Sequence, residues 1–305
     1  MIRPLYPLAL SLALAGLCAP AAIATQPAPD PFGRDPADPV SSFAMRDKAG
    51  NVQLRMVVPA PDADRREGER CMPGTVLCFS VNPADTPDRV ELVVRQFNPP
   101  GSAQRTSMQS LSLPIKLEED TELAIFPLAV RRVSNAQPAA EGEALLIGVL
   151  ATDRVGYSGG GGSRTILWLY KIDNAGTSGV AGSQVMSLLH QSGQLIRACF
   201  NDRDARKRRG ACHDETQVET TLILDTENTG AMPRLIYRTA ARTWPGAIPR
   251  LSPEETPDRL RKSDLVWSSD PECSYARGLW WNPATSRYAF DNPVPDCNSL
   301  GWARP

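Results

Sequence analysis

Apolar and polar residues alternate along much of this chain with a period of two. Val52, Leu54, Met56 and Val58 interleave with Gln53, Arg55 and Val57, and Ile166, Trp168, Tyr170 and Ile172 share one side opposite Thr165 and Lys171. Leu235 and Tyr237 alternate with Ile236 and Arg238 in the same way. Such alternation rests one face of an extended strand on a core and turns the other toward water. Further strands are predicted at 75–81, 90–97, 110–116, 123–133, 145–155, 164–173, 185–190, 195–200, 218–225, 265–268, 278–281 and 287–290. Between them lie clusters of Pro, Gly, Asn, Asp and Ser, the residues that make turns. No 3.6-residue pattern is sustained. Ser252-Pro253-Glu254-Glu255 has the form of a helix start, but Pro257 limits it to a turn or two.

The class expected is therefore all-β, with antiparallel strands in a propeller-like meander. The alternative is a two-sheet β-sandwich, with two halves meeting at the polar segment 134–142. No repeat period can be aligned, which weighs against a regular array of blades.

The N-terminus changes the picture of where this fold forms. Arg3 precedes an apolar stretch from Leu5 to Leu17, and Ala22-Ile23-Ala24 supplies small residues for a signal peptidase. Residues 1–24 thus read as a signal peptide cleaved after Ala24, and the greasy stretch is shorter than the ~20 residues of a membrane span. Cys18 does not fit a lipoprotein signal, because Leu17 precedes it where a small residue is needed. Residues 25–40 are rich in Pro and Asp and are expected to form a poorly ordered tether, leaving 41–305 as the β domain. No later apolar run is long enough to cross a bilayer. A periplasmic or secreted destination follows.

With 33 Lys and Arg against 34 Asp and Glu, the chain is close to neutral, which argues against a nucleic-acid binder. Beyond Cys18, six cysteines fall into three local couples, and an even count behind a signal sequence points to disulfides. Nearest-neighbour pairing gives Cys71–Cys78, Cys199–Cys212 and Cys273–Cys297. A zinc cage is disfavoured: no CxxC occurs, and His190 and His213 are the only histidines. No metal or other cofactor is expected.

Candidate chemistry is sparse. Gly156-Tyr157-Ser158-Gly159-Gly160 matches the G-x-S-x-G nucleophile elbow, but that elbow needs a following helix and here more glycines and a strand follow. A hairpin tip is the expected reading. His213 has carboxylate neighbours in Asp214 and Glu215, whereas His190 is expected at a strand end before a surface turn at Ser192-Gly193. Neither assembles a catalytic set. Glu118-Glu119-Asp120 reads as a wet turn.

Two features point to binding. Trp280 and Trp281 are adjacent on a predicted strand, so they point to opposite faces, and one can meet a sugar or a partner. The segment 201–210 carries Arg203, Arg206, Lys207, Arg208 and Arg209, and the Cys199–Cys212 bridge would close it into a basic finger for phosphate or carboxylate groups. The function expected is an exported, non-catalytic binding or envelope-associated protein. Its partner would be an anionic envelope glycan or lipid, or another exported protein. The alternative is a secreted hydrolase of polysaccharide or peptide.

Overall fold

The computed structural model describes residues 44–46, 52–56, 58–59, 68–72, 77–86, 88–96, 107–118, 120–132, 145–173, 180–225, 227, 232–248, 257, 259–295 and 297. The signal segment, the tether, the 134–142 boundary and the helix start at 252 lie outside them. Among the described residues no helix is long and apolar enough to cross a membrane.

The strands are β1 (Ala44–Arg46), β2 (Val52–Met56), β3 (Val58–Pro59), β4 (Arg70–Cys71), β5 (Leu77–Pro83), β6 (Val90–Gln96), β7 (Ser107–Leu113) and β8 (Glu122–Arg132). They continue with β9 (Leu145–Tyr157), β10 (Gly160–Asp173), β11 (Ala181–Arg197), β12 (His213–Leu224), β13 (Leu235–Trp244), β14 (Ser268–Ser269), β15 (Ala276–Asn282) and β16 (Arg287–Phe290). One short helix, α1 (Asp202–Lys207), separates β11 from β12.

All pairings are antiparallel, and they build two sheets. A five-stranded sheet runs β3-β4-β5-β6-β7. An eleven-stranded sheet runs β1-β2-β8-β9-β10-β11-β12-β13-β15-β16, with β14 alongside β13. The small sheet is thus an insertion between β2 and β8. From β8 onward the chain meanders in nearest-neighbour order, as expected. It forms one continuous open sheet and does not close into a ring of blades.

Two cores lie on opposite faces of the large sheet. Phe79, Val90, Leu92 and Val94 of the small sheet pack against Ile147, Val149, Tyr170 and Ile172, so the two sheets sandwich the first core. The intervening residues of the same strands, Leu146, Leu167 and Leu169, face the second core with Leu188, Leu222, Leu235, Tyr237, Leu279 and Tyr288. Period-two alternation of apolar residues on both faces is what lets β9 and β10 serve both cores. The second core is closed by curvature. β16 lies against β11, four strands away, where a flat sheet would hold them about 19 Å apart.

That curvature is helped by two irregularities in β11. Leu169 and Tyr170 face Met186 and Gln184, so Val185 is an extra residue; Thr165 and Ile166 face Gln191 and Leu189, so His190 is another. Such bulges bend a strand and strengthen its twist. They also let β11 continue through Ser192-Gly193. The two strands expected at 185–190 and 195–200 are therefore one of 17 residues, and no surface turn separates them.

All three expected disulfides are present: Cys71–Cys78, Cys199–Cys212 and Cys273–Cys297. Cys71 and Cys78 face each other across β4 and β5. Cys199–Cys212 closes the base of α1, and Cys273–Cys297 packs against Val218 and Ala241. Each is expected to stabilise by ~2–4 kcal/mol, mainly through the unfolded chain. These are the bonds of a chain that folds under oxidising conditions.

Candidate functional site

The basic finger is a capped helix, not an open loop. The Asn201 side chain accepts from the Arg203 and Asp204 N–H groups at 2.9 and 3.0 Å, and Asp204 accepts from the Phe200 N–H at 3.1 Å. Only part of the cationic cluster faces water. Arg203, Arg206 and Arg209 are exposed. The Lys207 carbonyl accepts the Leu260 N–H at 3.1 Å, and Arg209 donates to the Leu260 carbonyl at 3.0 Å. Arg208 is buried, donating to the Ala211 carbonyl at 2.9 Å and pairing with Asp214. Burial pushes the Asp214 carboxyl above its ordinary value, against the opposing pull of Arg208. Arg208 and Arg209 thus anchor the finger to the domain.

The histidines are likewise apart. His190 sits at its bulge with the Phe126 ring edge-on at 5.4 Å, and its Nδ1 lies 3.3 Å from the Thr220 hydroxyl. Thr220 also donates to the His190 carbonyl at 2.9 Å. Burial lowers the pKa of His190. His213 is exposed across from Arg197 at the other end of the strand pair. Ser158 lies in the turn of the β9–β10 hairpin, with no helix after it. Among the described residues no three His, Cys, Asp or Glu side chains group as a metal site.

The two adjacent tryptophans divide between core and solvent. Trp281 lies edge-on to Tyr288 at 5.4 Å and packs on the second core. Trp280 points the other way and is 45% exposed. The Arg234 guanidinium lies over its ring, 3.9 Å from the centroid. Asp225 holds that guanidinium from one side at 3.0 Å. Gly278 provides the floor: a Cβ there would come within 3.0 Å of Arg234 Nη2 and of Asp291 Oδ2. Asp291 is fixed in turn by the Gly278 N–H at 2.9 Å. Ala289, opposite Trp280 on edge strand β16, adds only a methyl group.

The result is a projecting indole beneath a guanidinium, with the guanidinium paired to Asp225, and with Asp291 fixed on the backbone at Gly278. An exposed aromatic face attracts the apolar C–H face of a sugar ring, while pinned planar groups exchange hydrogen bonds with its hydroxyls. Arg234, Asp225 and Asp291 were not legible as companions of Trp280, because their meeting depends on the β13–β15 register. Arg234 does continue the outward period of Ile236 and Arg238, which is the signal the sequence held.

Comparison with protein-family models, with curated proteins and with solved structures gives no match to this chain.

Proposed function

We propose that this chain is an exported, non-catalytic glycan-binding protein of the cell envelope, with Trp280 as its central contact. The observation that carries the reading is the exposed Trp280 ring held beneath Arg234, whose guanidinium is in turn paired with Asp225. The site is preorganised, since a strand pair and an ion pair fix its groups before a ligand arrives, and little ordering entropy remains to be lost on binding. Export is supported by the signal pattern of residues 1–24, with cleavage after Ala24, and by three disulfides that match an oxidising periplasm or medium. The exposed Arg203 and Arg206 would add attraction for an anionic envelope polymer.

The test is retention of the mature protein on immobilised peptidoglycan, polygalacturonate and cellulose. At least one should retain it, and Trp280→Ala should weaken that retention at least about tenfold while the circular dichroism spectrum stays unchanged. Retention on none of the three, or equal retention of the variant, overturns the proposal.

A further inference from the structure

Alternate residues of β13 divide cleanly between core and solvent. Leu235, Tyr237, Thr239, Ala241 and Thr243 are buried, while Arg238, Ala240 and Arg242 are exposed and Ile236 and Trp244 are partly so. Arg234, just before the strand, continues the outward row. Arginines therefore recur at every fourth residue along one outer ribbon. At the strand rise of about 3.3 Å per residue they stand roughly 13 Å apart, and Arg234 to Arg242 spans roughly 26 Å.

Each end of this ribbon carries an arginine on an exposed tryptophan from the neighbouring segment. Arg234 lies over Trp280 at 3.9 Å. Arg242 lies over Trp267 at 4.7 Å, and Trp267, just ahead of β14, is 40% exposed. Trp244 sits beside Trp267 with centroids 6.1 Å apart. Gln217 holds Arg242 Nε at 2.9 Å and Glu219 lies 3.9 Å from its Nη2, while Asp225 holds Arg234, so both guanidinium groups are pinned. Arg238 stands midway, between Thr221 of β12 and Ala276 of β15, in a row without a carboxylate.

From this repetition we infer that the outer face of β13 is one continuous track for an extended linear glycan whose units carry carboxylates. The inference rests on the glycan-binding reading of Trp280 and adds the ligand's form and charge. Trp280 and Trp267 receive sugar faces at the two ends, and Arg238 meets a ligand carboxylate between them. A central strand bonded on both sides keeps the contacts in line, which suits a stiff, extended polymer. Once one tryptophan is occupied, the far end of a long ligand reaches the second as an intramolecular event, so affinity rises with length.

Titration of the full mature protein with oligogalacturonates of increasing length, followed by tryptophan fluorescence, tests this. Affinity should rise at least about tenfold once the ligand spans both tryptophans. Trp267→Ala should remove that gain, while short ligands still bind at Trp280. Arg238→Ser should weaken the long acidic ligands and lower the salt dependence. Length-independent affinity, or a Trp267→Ala variant identical to the wild type, sinks the track while leaving the Trp280 site standing. Equal binding of neutral cello-oligosaccharides and oligogalacturonates sinks the assignment of charge. Indifference of every ligand to Trp280→Ala sinks the underlying reading as well.

Discussion

Arg208 and Asp214 form an ion pair that draws the end of the basic finger back against β12. Arg208 is 7% exposed and also satisfies the Ala211 carbonyl, so its cation is structural. Arg208→Gln would leave Asp214 partly buried without its cation, a loss of about 3 kcal/mol by analogy with broken buried pairs. Arg203→Ser, on the exposed face of α1, should stay within about 0.5 kcal/mol of the wild type. Urea denaturation of both variants separates them. Equal stability of the two would remove the distinction between anchoring and presented cations.

Tyr170 yields an expectation of opposite sign. Its side chain is fully buried between the two sheets, and its hydroxyl has no hydrogen-bond partner among the described residues. Burial also drives its ionisation far above the ordinary range. An unsatisfied buried hydroxyl costs free energy that a phenylalanine of the same shape does not. Tyr170→Phe should therefore stabilise the fold by about 1 kcal/mol, read as a raised denaturation midpoint at unchanged m-value. A lowered midpoint would mean that the hydroxyl is satisfied after all.

Strand positions were legible wherever alternation was strong. The segment expected at 287–290 is β16 itself, and the opposed directions of Trp280 and Trp281 follow from the pleat alone. What failed to show was anything set by register. Ser192-Gly193 looks like a turn locally, yet β11 runs through it because the bulges at Val185 and His190 absorb the mismatch with β10. In the sequence of the finger the cations dominate the composition. Its helix signals were nonetheless there: Asn201 as cap, Asp202 and Asp204 in the first turn, and Gly210 with φ of 85° beyond the end. The stacking of Arg234 on Trp280 and of Arg242 on Trp267 joins residues far apart in sequence, and only the pairing of β13 with β15 and β14 brings them together.

His190 links that bulge to pH. Phe126 of β8, Thr220 of β12 and the backbone of β11 surround its ring, and the nearby Tyr237 hydroxyl donates to the Leu189 carbonyl at 2.7 Å. No carboxylate among the described residues pairs with it, so burial alone acts and lowers its pKa. Below the ordinary value near 6.5, the unfolded chain takes up a proton that the folded protein refuses. Stability contributed by neutral His190 is thus complete above that pH and declines as pH falls toward the folded-state value. His190→Gln, which keeps a polar group beside Thr220, should show a smaller loss of stability between pH 7 and pH 5 than the wild type. Denaturation midpoints across that window measure the difference. Parallel curves for the two proteins would show that protonation of His190 is not coupled to folding, and the bulge would then have to open to water at little cost.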